Sequence, residues 1–360
     1  MSSVHAKRRN AVQAEVARRK ADCLLITHPA NWYYLTGFTG ESGALVVSPR
    51  GTTLITDGRF TVQAKEETRG IRIELQKGAL YAAVAEFLKR KKLARAAYDP
   101  TQLTVSQLHA LRKGVGAKWK GVEAAGIVER LRMRKDAQEV AVMRKAAILA
   151  GEVLEGVLKL IKPGIRESEI GAEIEYRLKK GGASGTSFQT IVASGPRGAL
   201  PHARPTAKKL RKNELVVLDL GAIVGYYCSD MTRTVHVGRA SKRVREWYRS
   251  VQEAQEAAVA AVSEGVTCGE VDAAAREVLT KNGLAAYFVH STGHGLGLEV
   301  HEEPRVARGQ GVRLEAGNVI TIEPGVYFAG VGGIRIEDDV VVQAGSREVL
   351  TRVTRDLIEL

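Results

Sequence analysis

Short apolar and β-branched runs bounded by turn residues punctuate the first third of the chain: CLLIT at 23–27, ALVVS at 44–48 and TTLIT at 52–56. Such runs predict strands. Apolar residues then recur at helical spacing over 79–93 and 105–113, which predicts two helices. Alternating strand-like and helix-like pieces predict an α/β domain with helices against its sheet. A longer helical pattern covers 136–161 and stops at Lys162-Pro163-Gly164, since proline and glycine end helices. Beyond it the pattern predicts a helix at 168–180 and strands near 188–193, 214–224 and 226–237. Helices at 241–264 and 269–282 follow, then strands around 285–292, 298–302, 318–323 and 334–343. Strands there succeed one another without an intervening helix, which predicts an α+β domain with antiparallel pairing. The pattern changes near 127–135, so the expected domains are 1–127 and 128–360.

Size and charge narrow the functional classes. At 360 residues and 44% hydrophobic content, the chain is long enough for two domains of about 100–200 residues. No apolar run approaches the roughly 20 residues that a spanning helix needs, so no membrane partner is expected. Residues 1–20 lack the apolar segment of a secretory signal. They are expected as a surface helix with Val12 and Val16 one turn apart. Cys23, Cys228 and Cys268 are scattered and form no Cys-x-x-Cys pair. A disulfide framework or thiolate zinc site is therefore not expected, and the chain reads as cytoplasmic. The net charge of +14 is uneven: residues 1–127 hold 21 Lys and Arg against 10 Asp and Glu. Its main cluster, 89–92, ends an apolar helical pattern, where cations complement the helix dipole. No nucleic-acid motif surrounds it, and no nucleic-acid partner is expected.

Acidic and imidazole groups in the second half stand where a fold alone gains nothing from them. Asp219 ends the apolar run LVVLDL (215–220), and a buried carboxylate needs a cation or a donor network. Asp230 follows in SDMTRT (229–234), across an expected hairpin turn around 224–225. Adjacent antiparallel strands would bring the two together, and paired carboxylates repel unless a cation lies between them. His290, His294 and His301 occupy a glycine-rich stretch, HSTGHGLGLEVH. Glu323 and Glu337 each interrupt a β-type alternation, ITIE and GIRIE. Two Asp, two Glu and one His, without Cys, suit manganese, cobalt, zinc or ferrous iron better than a structural zinc site. Taken singly, each residue has a structural reading; all of them recurring in apolar strand contexts favours two metals in a shared site.

These segments resemble the pita-bread metallopeptidases, peptidase family M24, which include methionine aminopeptidases, aminopeptidase P and prolidase. The resemblance rests on LDLG (218–221), SDMTRT (229–234), STGHGLGLEVHE (291–302), TIEPGVY (321–327) and GGIRIEDD (332–339), in the family's order. In the first half, NWYYLTGFTG (31–40) and ITDGRF (55–60) resemble the amino-terminal domain of aminopeptidase P, prolidase and creatinase. The resemblance implies a creatinase/prolidase-like α/β domain followed by a catalytic α+β domain of pita-bread fold. It implies Asp219, Asp230, His294, Glu323 and Glu337 as ligands of a dinuclear site holding two divalent ions, manganese, cobalt or zinc. His202, in LPHARP, and His301 resemble the family histidines that face the substrate. Retention of all five ligand positions argues against metal-free creatinase and against binding proteins built on the fold.

The expected activity is a metal-dependent exopeptidase, an Xaa-Pro aminopeptidase in which a hydroxide bridging both metals attacks the scissile carbonyl. An Xaa-Pro dipeptidase is the alternative, and a non-enzymatic binding protein is a more distant one. Glu323 is expected to pass a proton to the leaving proline nitrogen, with His202 and His301 contacting the substrate carbonyl. Arg335 is expected to pair with Asp219 or bind a product carboxylate, and His290 to support the pocket. The expected partners are a proline-containing peptide and, by resemblance, a second copy of the chain in a homodimer. Tyr226, Tyr327 and Phe188 are candidates for the walls of a proline slot.

Overall fold

The structure, a computed structural model, describes residues 4–360; residues 1–3 of the expected first helix lie outside them. The chain divides into two compact units, the first ending at Arg132 and the second running Met133–Leu360.

The first unit is built on a six-stranded sheet. Its order is Arg72–Leu75, Gly51–Thr56, Ala44–Ser48, Cys23–Ile26, Ala96–Tyr98, Val122–Glu123. The three predicted strands form its antiparallel middle, and the outer pairs are parallel. Leu25, Val46 and Ile55 pack against Val84, Phe87 and Leu88 of the helix Leu80–Lys91. The opening helix, Val4–Arg18, buries both Val12 and Val16. The stretch 29–36 forms an unforeseen helix, Pro29–Thr36. Proline in its first turn supplies a helical φ, and Gly37 closes it at φ +80°. The unit extends beyond 127 because the helix Ile127–Arg132 is tied into it. Asn31 donates to Glu129 (2.6 Å) and accepts from Arg132 (2.8 Å), and Tyr34 donates to the Leu131 carbonyl.

The second unit sets two helix-covered sheets in one fold. Helices Ala137–Leu158 and Glu167–Lys180 pack through Ala150, Leu154, Ile170 and Ile174 onto Val216 and Leu218. The latter lie in a four-stranded sheet ordered Ile358–Glu359, Met231–His236, Leu215–Leu220, Ile191–Ser194. Helices Lys242–Ala261 and Cys268–Lys281 pack through Val251, Ala254 and Val271 onto Ile320, Ile322, Val340 and Val342. Those residues belong to a five-stranded sheet ordered Glu302–Val306, Gly293–Gly295, Val319–Ile322, Asp338–Gln343, Ser346–Val349. Side chains alternate across a strand. If Leu218, Ile322 and Ile336 face helices, then Asp219, Glu323 and Glu337 face away from them.

Two predicted strands differ. The stretch 285–292 is a short 3-10 turn, Ala285–Tyr287, followed by irregular chain. Arg276 donates to the carbonyls of Phe288 and His290, taking the place of a ladder. Near 298–302 the chain turns, with Gly297 N–H donating to Glu299 O and Glu299 N–H to the Glu302 carboxylate. The strand starts only at Glu302. Among the described residues no helix is long and apolar enough to cross a membrane. Cys23, Cys228 and Cys268 are buried and unpaired.

Candidate metal centre

Interrupted strands carry the acidic groups. The predicted strand 214–224 breaks after Leu220 and 226–237 breaks around Asp230, each fragment joining a different sheet. Asp219 lies opposite Thr232 in the antiparallel pair. Asp230, two residues before Thr232, is its diagonal neighbour on the same face. A long hairpin likewise runs Val319–Ile322 and Gly325–Phe328 out, Gly332–Arg335 and Asp338–Gln343 back. Its ladder fails at Glu323 and Glu337, which face each other in the same register. Their backbone N–H groups donate elsewhere, Glu323 to Thr292 O (2.7 Å) and Glu337 to Thr232 O (3.1 Å).

His294 sits between two glycines for a steric reason. A Cβ on Gly293 would lie 1.8 Å from the Thr321 carbonyl oxygen, and one on Gly295 2.2 Å from that of Glu303. Only glycine lets the neighbouring strands approach this closely, and the imidazole between them points to the opposite face. Its Nδ1 donates to Gly295 O at 3.1 Å. A carbonyl only accepts, so Nε2 carries the lone pair. Nε2 lies 3.7 Å from Asp230 Oδ2 and 3.6 Å from Glu323 Oε1. Asp230, His294 and Glu337 each offer a ligand atom within 4.8 Å of the others.

The neighbouring polar groups are short of donors. Asp219 Oδ2 accepts from Arg335 Nη2 at 2.6 Å, but its buried Oδ1 has no hydrogen-bond partner. Thr232 donates to Glu337 (2.7 Å) and accepts from Arg335 Nε (3.0 Å). Arg335 Nη1 reaches the Tyr327 hydroxyl (2.8 Å) and Pro201 O (3.3 Å). His290 Nδ1 donates to Ser291 O, so its Nε2 accepts from the Tyr327 hydroxyl at 2.8 Å. Tyr327 therefore closes a chain of hydrogen bonds from Asp219 through Arg335 to His290. Tyr226 is 47% exposed.

Burial raises every carboxylate here. Glu323 is pushed up to about 8 by burial, with the Asp219 charge adding and Arg335 opposing. Asp230 and Glu337 stand well above the usual range through burial and the charges of neighbouring carboxylates. Burial also raises Asp219, against the pull of Arg335. It lowers His294 and His290 to about 4, keeping both imidazoles neutral. The cluster is thus electrostatically unfavourable as bare anions. It has an orphan carboxylate oxygen, an imidazole lone pair and an oxygen-rich donor set, and these fit a divalent cation.

His301 and His202 are both exposed. The His301 ring centroid lies 4.4 Å from that of His294, and burial followed by the His202 charge lowers its pKa. His202 follows the turn Gly195–Ala199, near enough for its charge to bear on Asp219, His290 and His301. Asp339 belongs to the same cluster and was not singled out from the sequence. Its Oδ2 accepts from Asp230 N–H at 3.1 Å, and its buried Oδ1 has no partner. Strand alternation from Glu337 carried that signal, since residues two apart share a face.

The chain matches the model of metallopeptidase family M24 over residues 141–344 and that of the creatinase/prolidase N-terminal domain over 8–134. It is 36% identical to the Xaa-Pro dipeptidase of Pyrococcus furiosus, over 94% of this chain and 95% of that one. Among solved structures, the Xaa-Pro dipeptidase from Bacillus anthracis is 36% identical with a TM-score of 0.96, covering 99% of this chain and 100% of its own. The X-Pro aminopeptidase from Thermotoga maritima is 34% identical with a TM-score of 0.90, covering 98% and 99%. With a creatinase/prolidase-type first unit and a pita-bread second unit, this chain belongs to metallopeptidase family M24 and is an enzyme of that type.

Proposed function

We propose that this chain is an Xaa-Pro dipeptidase that uses two divalent cations held by Asp219, Asp230, His294, Glu323 and Glu337. Manganese, cobalt and zinc all suit these donors. The sequence placed the aminopeptidase first and the dipeptidase as its alternative. The dipeptidase names of the Pyrococcus and Bacillus relatives favour the alternative. The observation that carries the metal reading is the convergence of donor-poor carboxylates around the His294 lone pair, with Asp219 Oδ1 left unpartnered.

Cations bound there supply Lewis acidity, lowering the pKa of water and polarising the scissile carbonyl. The side chains do the rest. Glu323 takes a proton from the attacking water and delivers it to the proline nitrogen as that nitrogen leaves. His202 and His301 donate to the substrate carbonyl oxygen as charge develops on it. All three guanidinium nitrogens of Arg335 are occupied, by Asp219, Thr232, and Tyr327 with Pro201. Arg335 therefore orients Asp219 rather than binding a product carboxylate. Neutral His290 holds the Tyr327 hydroxyl, which in turn holds Arg335.

A length series tests the reading: Xaa-Pro dipeptides, then tripeptides and longer Xaa-Pro peptides, assayed after metal stripping and re-addition. A dipeptidase cleaves the first and spares the rest; efficient cleavage of longer peptides restores the aminopeptidase. Unchanged rates in chelator sink both. The homodimer implied by family resemblance is checked by light scattering, and the cytoplasmic assignment by fractionation.

A further inference from the structure

We infer that Glu167 is a positioning residue that clamps both ends of the loop carrying His202; the inference rests on the substrate-facing role proposed for that histidine. Glu167 opens the helix Glu167–Lys180 and is fully buried. A buried carboxylate is costly unless donors surround it, and five do. Oε1 accepts from the Ser194 N–H (2.9 Å) and the Ser194 hydroxyl (2.8 Å). Oε2 accepts from Arg197 Nε (3.0 Å), the Thr206 N–H (3.1 Å) and the Thr206 hydroxyl (2.7 Å).

Oε1 holds the start of one segment, and Oε2 holds its far end together with Arg197 from within it. Ser194 ends the strand Ile191–Ser194, and Thr206 closes the loop on its far side. Between them run the turn Gly195–Ala199, Pro201 and His202. Arg197 spans the loop a second time, its Nη2 donating to Arg204 O at 2.5 Å. The same loop meets the metal cluster, since Pro201 O accepts from Arg335 Nη1. Apart from the turn at Gly195–Ala199, residues 195–205 lie in no regular element. Backbone bonds from Leu200 N–H to Arg197 O and from Ala203 N–H to Leu200 O order the middle of the loop, and Ser168 N–H to Thr206 O meets its far end; the side-chain bonds to Glu167 tie the two ends together. Burial alone would raise Glu167, but the bonds from Ser194 and Thr206 and the Arg197 charge hold it below the usual carboxylate range.

The isosteric amide tests this. Gln accepts through one oxygen only, so Glu167→Gln keeps one end of the loop and leaves donors facing donors at the other. Misplacing a substrate-contacting group by about an ångström costs on the order of 10–100-fold. We expect Glu167→Gln to lower kcat/KM on an Xaa-Pro dipeptide by at least about ten-fold with metal content unchanged. In a His202→Ala background the same change should cost less than about two-fold, because groups acting through one another are non-additive. Amide hydrogen exchange should quicken over 195–206 and stay unchanged at 215–220 and 319–323. Should Glu167→Gln fold poorly, Thr206→Val, which removes one donor, gives the same pattern at reduced size. Additive losses in the double variant, or unaltered exchange in the loop, overturn the inference. A wild-type enzyme inert toward Xaa-Pro peptides sinks the proposed substrate instead, and the exchange measurement still decides whether Glu167 holds the loop.

Discussion

Glu337, Asp338 and Asp339 are consecutive and all buried, yet they face two different environments. Asp338 points toward the helices. Its Oδ1 accepts from Arg233 (2.7 Å), and its Oδ2 from Gln255 (2.7 Å) and Arg355 (2.5 Å). Arg233 also caps the carbonyls of Thr232, Glu337, Val353 and Thr354. On the opposite face, Glu337 has a threonine hydroxyl, Asp339 Oδ1 has nothing, and Asp219 shares the single guanidinium of Arg335. One side is balanced by the protein's own cations; the other is left short of positive charge. A buried carboxylate with all its partners is architecture, whereas a group of them without partners marks a place where charge arrives from outside.

The widest separation between the two faces is expected in activity. Asp230→Ala or Glu323→Ala should lower the turnover of an Xaa-Pro dipeptide by about 1000-fold or more, since both remove a metal-facing carboxylate. Near-normal rates in either variant would refute the proposed site. Next comes stability. Asp338→Ala leaves Arg233 buried without its anion and should cost about 3–5 kcal/mol in chemical denaturation. A loss under about 1 kcal/mol would place Asp338 with the metal-facing group instead. Thr232→Val keeps shape but withdraws the hydroxyl that orients Glu337, and should weaken metal affinity by roughly 10–100-fold in a competitive chelator titration.

The smallest effect expected is on pH dependence. Folding raises Glu323 to about 8, above an unfolded value of about 4.3. Its contribution to the stability of the metal-free protein is complete below the unfolded value and fades as pH climbs through the folded one. A cation that neutralises the cluster cancels that fading. Added metal should therefore raise Tm by more at pH 8 than at pH 5, read by thermal melts of stripped and reloaded protein. An equal gain at both values would mean that the carboxylates are already ionised without metal.

Local pattern already determined much of this molecule. The apolar runs 23–27, 44–48 and 52–56 became the centre of the first sheet, because a buried strand needs little beyond its own β-branched content. Alternation alone put Glu323 and Glu337 on the face opposite their isoleucine neighbours. Tertiary structure decided what alternation is silent on. The side chain of Arg276 overrode the strand pattern at 285–292. Asp339 joined the cluster through a bond to a residue more than a hundred positions away. The orphaned oxygen of Asp219 and the five donors around Glu167 became visible only after distant segments met. Which face a carboxylate takes is set by neighbours along the chain, but whether its charge is balanced there depends on partners brought across the fold.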